Sequence, residues 1–202
     1  LIGNRDLRFS VARYGNVVGS EGSVLQLYNN LYANKKKLPL TDKEMTRFWV
    51  TIDQCINFIF GCFSRMQGGE IFIPKLPSIR IKDLIKSFGK EYEIIGLQGN
   101  EKIDEIMFSL EESSKIIEFD NFFILPPLLE FFIGRSSGKD KNLTQKIIKN
   151  KFMKTNHHEV GQKLKERYSY SSRSNTFLTI KEISAINNKI INSIEKKDFL
   201  FF

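Results

Sequence analysis

The sequence predicts an α/β fold, because segments with strand character alternate with segments of helical periodicity. Residues 7–14 (LRFSVARY) are rich in β-forming side chains, and residues 15–22 (GNVVGSEG) form a glycine-rich loop. Residues 23–34 then carry apolar side chains at helical spacing. The chain is therefore predicted to begin as a strand, a loop and a helix, a unit typical of α/β proteins.

The rest of the chain continues this alternation up to about residue 125. Asp53 is the predicted N-cap of a helix that runs to Met66, and Ser78 is the predicted N-cap of a helix that Gly89 ends. The other predicted elements are strands at 38–41, 48–52, 70–74, 92–97 and 116–125, the last interrupted at 120–121, and a helix at 180–194.

The positive charge of the chain is unevenly distributed. The 202 residues carry 31 Lys+Arg and 23 Asp+Glu, a net charge of +8. Residues 1–134 hold 16 basic and 17 acidic side chains (net −1), and residues 135–202 hold 15 and 6 (net +9). We therefore predict a neutral body at 1–134, a basic and flexible polar segment at 135–167, and a closing segment with a helix at 168–202. The body itself gives no reason to expect a polyanion as its partner.

Nothing in the sequence predicts a membrane span or a secretion signal. The most apolar stretch, residues 122–134, is short and is broken by two prolines and Glu130. The first residue is Leu1, and a strand follows within a few residues, so we expect an N-terminal part of the protein to be missing from this chain. Cys55 and Cys62 are too far apart on one helix for a disulfide, which predicts buried free thiols in a reducing compartment.

Several residues suggest chemistry, each beside a simpler alternative. The glycine loop before a helix could bind phosphate, but its GxxxGxxG spacing suits a plain turn equally well. Arg47, next to the single tryptophan, could bind phosphate or flank a packed strand. His157 and His158 are adjacent and do not form a metal pair, so no metal site is predicted. The run at 139–154 contains one aromatic residue, which favours a solvated segment over a nucleic-acid binder.

Five segments together resemble one enzyme family. These are residues 8–24, 38–54 (LPLTDKEMTRFWVTIDQ), 68–84 and 117–124, together with the YSYSSRSN segment that begins at Tyr168. In this order they resemble the inverting UDP-N-acetylglucosamine 4,6-dehydratases, which are extended short-chain dehydrogenase/reductases related to the CapD-like proteins of polysaccharide biosynthesis. The resemblance implies the C-terminal portion of a Rossmann-type fold with its smaller substrate-binding lobe.

The resemblance also implies a reaction and its ligands. The family binds NADP and UDP-N-acetylglucosamine, and it makes a 4-keto-6-deoxy sugar nucleotide with C5 inverted, for pseudaminic acid and flagellin glycosylation. By position, Asn16, Arg47, Gln98 and Asn175 correspond to substrate-binding residues. Residues on the nicotinamide side of NADP correspond to Val17, Val18, Gly19, Ser20 and Glu21. A homo-oligomer in the bacterial cytoplasm is implied as well.

Two departures from the family pattern leave an alternative open. Gln98 and Glu21 stand where the family has arginines, and a lost contact to phosphate costs about 1.5–3 kcal/mol. The dinucleotide fingerprint and the catalytic Tyr-x-x-x-Lys of the family would precede Leu1, so no catalytic residue is assigned in this chain. The alternative is an inactive truncated fragment that acts at most as a sugar-nucleotide-binding module. A weaker third hypothesis is anion or nucleic-acid binding by the basic segment.

Overall fold

A computed structural model describes residues 8–127 and 150–198 of the chain. The described chain divides into two compact units. Unit 1 comprises residues 8–14, 56–75, 107–127 and 150–169, and unit 2 comprises residues 15–55, 76–106 and 170–198. The boundaries predicted near residues 134 and 167 stay a prediction, and residues 128–149 lie outside the described residues.

Strands and helices alternate along the chain, which confirms the predicted α/β class. The strands are β1 (Val11–Ala12), β2 (Asn16–Val17), β3 (Leu38–Leu40), β4 (Thr46–Val50), β5 (Ile71–Pro74), β6 (Ser78–Arg80), β7 (Tyr92–Ile94), β8 (Ile106–Phe108), β9 (Ile117–Glu118), β10 (Phe122–Leu125), β11 (Gln162–Lys163) and β12 (Tyr170–Ser171). The helices are α1 (Val24–Ala33), α2 (Ile52–Arg65), α3 (Ile81–Ser87), α4 (Leu110–Ser113) and α5 (Ile180–Asp198).

Unit 1 is built on a five-stranded sheet in the order β1-β5-β10-β9-β11. β1 pairs in parallel with β5, and the remaining pairs are antiparallel. The segment predicted as one strand at 116–125 forms two antiparallel strands, β9 and β10, and the predicted interruption at 120–121 is the turn between them. The core is rich in aromatic side chains, and its fully buried members include Phe72, Ile117 and Phe152.

Part of the basic segment belongs to this sheet. β11 lies within residues 150–167 and pairs with β9, where Gln162 is opposite Glu118. Phe152 from the same segment is fully buried in the core of unit 1. Gly161 packs so closely that an added Cβ would lie 2.5 Å from Ile117 and 2.7 Å from Phe119. One aromatic side chain and one closely packed glycine thus hold this part of the segment against unit 1.

Unit 2 contains the sheet on which the site is built. β2 pairs in parallel with β4, with Asn16 opposite Trp49, and β6 pairs antiparallel with β4. β3 and β7 form a second, parallel pair. Side chains from α1, α3 and α5 pack into one apolar core with β3 and β4, and its buried members include Leu25, Leu38 and Ile183.

Two predicted helix caps are wrong. Ser78 lies in β6, where it is opposite Phe48 and its N–H donates to the carbonyl of Thr176 at 2.9 Å. Helix α3 therefore begins later, with Arg80 as its N-cap. Helix α2 begins at Ile52, so Asp53 lies inside its first turn.

Thr51 supplies the cap that was assigned to Asp53. Its backbone N–H donates to Gln54 Oε1 at 2.9 Å, and its Oγ1 accepts from the Gln54 N–H at 3.3 Å. This reciprocal pair is a capping box with glutamine as the third residue. Cys55 and Cys62, both on α2, are buried free thiols as predicted. Among the helices that the structure describes, none is long and apolar enough to cross a bilayer.

Candidate functional site

Unit 2 holds a cavity of about 430 Å³ beside the β2-β4-β6 sheet and the N-terminus of α1. Its wall is formed by Asn16, Val17, Val18, Ser20, Glu21, Gly22, Ser23, Val24, Leu27, Tyr28, Pro39, Thr41, Met45, Arg47, Trp49, Ile81, Ile95, Gln98 and Glu101. A cavity of this size suits a small organic ligand. Apolar side chains make most of the wall, and a few polar groups converge on it.

The alternation of side chains along β4 decides which of its residues face the cavity. Successive side chains of a strand point to opposite faces. Arg47 and Trp49 line the cavity, while Phe48 contacts the ring of Tyr170 at a centroid distance of 4.9 Å. Asn16 is the partner of Trp49 across the β2–β4 pairing and shares its face. One face of the sheet thus presents an amide, a guanidinium and an indole.

Arg47 is held by the chain segment that runs from residue 102 to residue 105. Its Nη1 donates to the carbonyls of Thr46 at 2.7 Å and Ile103 at 3.2 Å, and its Nη2 donates to the carbonyl of Lys102 at 2.7 Å. Its Nε lies 3.7 Å from Glu105 Oε1. The side chain is 13% exposed. A guanidinium has five N–H groups, so one Nη2 N–H of Arg47 remains for a ligand.

The loop between β2 and α1 forms the second wall of the cavity. Gly19 and Gly22 have φ of 77° and 73°, a conformation that glycine adopts at little cost. The Ser20 carbonyl accepts from the N–H of Ser23 at 3.0 Å, which closes a turn in front of α1. Ser23 is the N-cap of α1, but its side chain makes no capping hydrogen bond. Gly22, Ser23 and Val24 line the cavity, so the positive end of the α1 dipole lies at its wall.

The charged side chains of the wall are one base and two acids: Arg47, Glu21 and Glu101. Gln98 lies in a turn, where its N–H donates to Glu101 Oε2 at 3.2 Å. Its side-chain amide makes only long contacts of 3.4 Å to the carbonyls of Ile95 and Gly96. The Gln98 side chain is therefore weakly held, and the wall has less positive charge than a site for a dianion favours.

Tyr28 is a fixed part of the wall. Its hydroxyl donates to the carbonyl of Pro39 at 2.6 Å, and its ring packs edge-on against Phe88. Burial raises the pKa of Tyr28 well above its ordinary value, and the nearby Glu101 carboxylate raises it further. The phenol is therefore neutral at physiological pH, and its single proton is engaged with Pro39.

The structure brings together seven of the nine residues singled out from the sequence: Asn16, Val17, Val18, Ser20, Glu21, Arg47 and Gln98. Gly19 belongs to the same loop, although it is not part of the wall. Asn175 lies elsewhere in unit 2, where its Nδ2 donates to the carbonyl of Leu76 at 2.7 Å and to Ser78 Oγ at 2.8 Å.

Sequence reasoning missed Trp49, Ser23 and Tyr28 as residues of the wall. Trp49 was missed because the strand was predicted at 48–52, with Arg47 in the turn before it; β4 begins at Thr46, so Arg47 and Trp49 share one strand face. Within residues 8–127 and 150–198, no cluster of three His, Cys, Asp or Glu side chains could hold a metal ion. The acidic residues Asp104 and Glu105 lie beside arginines: Asp104 is 3.5 Å from Arg173.

Fold and site together define an α/β protein of the Rossmann-type extended short-chain dehydrogenase/reductase class. Residues 2–127 match the family model described as "Polysaccharide biosynthesis protein", and the chain belongs to this family. This match confirms the resemblance drawn from the sequence.

Two curated relatives show how far the similarity extends. The chain is 40% identical over 178 residues to UDP-N-acetylglucosamine 4,6-dehydratase (inverting) from Campylobacter jejuni subsp. jejuni serotype O:2, covering 87% of this chain and 49% of that protein. It is 28% identical to UDP-glucose 4-epimerase from Rickettsia bellii, covering 88% of this chain and 48% of the epimerase. The chain thus spans about half the length of these relatives.

Among solved structures, the chain resembles the X-ray structure of Pen from Bacillus thuringiensis. The TM-score is 0.68 and the identity 26%, and the match covers 91% of this chain and 51% of the other.

Proposed function

We propose that this chain is part of a UDP-N-acetylglucosamine 4,6-dehydratase that inverts C5 and produces a 4-keto-6-deoxy sugar nucleotide. The observation that carries the proposal is the cavity of unit 2, which gathers Asn16, Arg47 and Gln98 from three distant segments of the chain. The relative from Campylobacter jejuni, 40% identical, supports the choice of substrate.

In this proposal the diphosphate of the substrate lies between Arg47 and the N-terminus of α1. Both supply positive potential and N–H donors, which are the groups that bind phosphate in proteins. The apolar part of the wall, including Met45, Ile81 and Ile95, offers an apolar surface to the uracil base of the substrate. Asn16 offers an amide to the neutral oxygens of the ligand.

The loop from Val17 to Glu21 would hold the nicotinamide end of NADP. Val17 and Val18 supply an apolar surface that suits a nicotinamide ring, while the Glu21 carboxylate gives no support to a phosphate. A GxGxxG fingerprint after a strand does not occur in the 202 residues, so these residues fit only one end of the cofactor. When bound, the cofactor supplies the hydride acceptor and donor.

Proton transfer is not assigned to any residue of this chain. Tyr32 and Lys36 have the Tyr-x-x-x-Lys spacing, but α1 ends at Ala33 and Lys35 has a φ of 55°. The two side chains are therefore not presented from one continuous helix. The Tyr32 ring packs on Phe88, with Lys90 Nζ 5.3 Å from its centroid. We expect the chain by itself to bind the sugar nucleotide without converting it.

The second candidate function is a sugar-nucleotide-binding module without catalysis. Glu21 and Gln98 favour it, because both remove positive charge from the wall relative to the family pattern. The two candidates share the ligand and differ in turnover. Both predict no turnover by this chain alone, so the test is made on the complete gene product: 4-keto product formed from UDP-N-acetylglucosamine with NADP supports the dehydratase, and its absence supports the binding module.

Titration calorimetry tests the shared binding proposal. We expect UDP-N-acetylglucosamine and UDP to bind the full 202-residue chain, and Arg47→Ala to weaken both by at least tenfold, as expected for a lost charge-assisted contact. Arg173→Ala is the matched control, because Arg173 pairs with Asp104 outside the cavity wall. Absence of binding, or equal affinities of Arg47→Ala and the unmodified chain, would contradict the proposal.

The proposal extends to the biological setting implied by the family resemblance. The protein would act as a homo-oligomer in the bacterial cytoplasm and feed pseudaminic acid synthesis for flagellin glycosylation. Light scattering of the purified protein tests the oligomer, and loss of the glycan after deletion of the gene tests the pathway.

A further inference from the structure

Two residues of the cavity wall each carry a buried polar atom that has no hydrogen-bond partner. In the part of the chain that the structure describes, three buried side-chain polar atoms lack one: Ser23 Oγ, Trp49 Nε1 and Asn187 Oδ1. Ser23 and Trp49 both line the cavity. Leaving a buried donor unpaired is costly, and native proteins keep few such groups. An unpaired indole N–H on a residue of the cavity wall therefore points to an acceptor that a ligand supplies.

The position of Trp49 in the sheet gives its neighbours on the wall. The residue is 4% exposed, so its N–H cannot be satisfied by bulk water. Arg47 precedes it by two positions on β4, and Asn16 is its partner on β2. All three side chains line the cavity. The indole N–H, which is only a donor, thus lies beside an amide that both donates and accepts.

The polarity of the wall changes along β4. Before Arg47, Met45 lines the cavity, and its carbonyl accepts from the N–H of Ile81 at 3.0 Å, which brings a second apolar residue to that end. After Arg47 come the indole N–H and the Asn16 amide. Two residues of a strand span about 6.6 Å, which is close to the length of one unit of a sugar nucleotide. The apolar end suits the base, and the Trp49 end suits a sugar.

We propose that the indole N–H of Trp49 donates a hydrogen bond to an oxygen of the hexosamine unit of the bound sugar nucleotide. Trp49 is then a specificity residue, which distinguishes the sugar nucleotide from the free nucleoside diphosphate. This inference rests on the proposed function, because it needs the diphosphate to lie at Arg47. Asn16 completes the sugar site with its amide.

The substitution Trp49→Phe tests the inference, because it removes the N–H and keeps an aromatic ring in the wall. Calorimetry with UDP-N-acetylglucosamine and with UDP gives two dissociation constants for each protein. We expect Trp49→Phe to weaken the binding of the sugar nucleotide by roughly 5- to 30-fold, the usual effect of losing one hydrogen bond. The affinity for UDP should change by less than about twofold. Tyr32→Phe is the matched control, because Tyr32 packs on Phe88 and is not part of the cavity wall, so the ratio of the two constants should stay unchanged.

The fluorescence of the unmodified chain provides a second, independent measurement. Trp49 is the single tryptophan of the 202 residues, so all indole emission comes from this site. We expect UDP-N-acetylglucosamine to change the emission to saturation, with a larger amplitude than UDP. This readout does not depend on whether the variant folds.

The outcomes separate this inference from the proposed function. If Trp49→Phe binds both ligands more weakly by the same factor, or binds neither more weakly, the role of Trp49 is overturned. The proposed function is then unaffected. An emission that the sugar nucleotide does not change, although calorimetry shows that it binds, also overturns that role. If the unmodified chain binds neither ligand, the proposed function fails and this inference fails with it.

Discussion

The hydroxyl groups of Thr46 and Ser172 lie 2.8 Å apart in the interior of unit 2, although 126 positions separate them in sequence. Ser172 is fully buried, and its backbone and side chain also bond Glu105: its N–H donates to the Glu105 carbonyl at 2.8 Å, and its Oγ accepts from the Glu105 N–H at 2.9 Å. These bonds join β4 to the segment whose carbonyls hold Arg47. The segment around Ser172 therefore supports the strand and the chain segment that hold Arg47 at the cavity wall.

Ser172→Ala is expected to lower the stability of the protein and to weaken the ligand site. The substitution leaves the Thr46 hydroxyl and the Glu105 N–H without their partner, which costs about 1–3 kcal/mol. A lower midpoint of urea unfolding and a weaker affinity for UDP are the two measurements. Ser64→Ala is the control, because that exposed hydroxyl bonds only within its own helix. If both variants unfold at the same urea concentration, the supporting role of Ser172 is wrong.

Gln98→Arg is expected to strengthen UDP binding. The side chain lines the cavity and is held only by two contacts of 3.4 Å, so its replacement loses little. An added guanidinium would gain one charge-assisted bond to phosphate, about 1.5–3 kcal/mol or roughly ten- to a hundredfold in affinity. Gln98→Glu is the matched control and should weaken binding. Calorimetry with UDP decides, and an unchanged or lower affinity of Gln98→Arg would show that this turn does not face the diphosphate.

The pair formed by Arg65 and Glu159 is expected to make unit 1 less stable in acid. Hydrogen bonds from Arg65, at 2.7 and 2.8 Å, lower the pKa of Glu159 below its ordinary value of 4.5, and the Thr155 hydroxyl adds to this effect. A carboxyl group whose folded pKa is lowered stabilises the fold above its unfolded pKa and loses that contribution as the pH falls through the folded pKa. The Glu159 side chain is 36% exposed, so solvent screening limits the contribution to about 1 kcal/mol or less.

Urea unfolding of the native chain and of Glu159→Gln, at neutral pH and at about pH 3.5, measures this contribution. The native chain should lose more stability between the two pH values than the variant loses. Glu93→Gln, at an exposed position of β7, should behave like the native chain. If Glu159→Gln retains the full acid loss, the pair does not contribute to stability.

Cys62 is expected to react slowly with alkylating reagents. Burial raises its pKa to about 12, and the Glu70 carboxylate raises it further while Arg65 opposes both. Because the thiolate is the nucleophile, the folded protein at about pH 8 should react at least about a hundredfold more slowly than the unfolded chain. Cys55→Ser leaves Cys62 as the single thiol, and mass spectrometry after iodoacetamide treatment gives the rate. Equal rates in the folded and unfolded protein would refute the burial of Cys62.

Local sequence patterns were sufficient for most elements of the fold. The apolar periodicity of α1 acts over a few positions, so its prediction needed no knowledge of distant contacts. The caps at Ser78 and Asp53 failed for the opposite reason. Ser78 is held in β6 by its pairing with Phe48 and by the Thr176 carbonyl, and a propensity for capping does not outweigh such long-range bonds.

The sequence by itself determined the α/β class, the free buried thiols and the family, and it named Asn16 and Arg47, which the structure places on the wall of one cavity. Only the tertiary structure decided that Trp49 shares this wall with its indole N–H unpaired, and that Asn175 is bonded to Leu76 and Ser78. The physical reason is that strand pairing and burial set the environment of a polar group. Both depend on residues that are distant in the chain, and no local pattern records them.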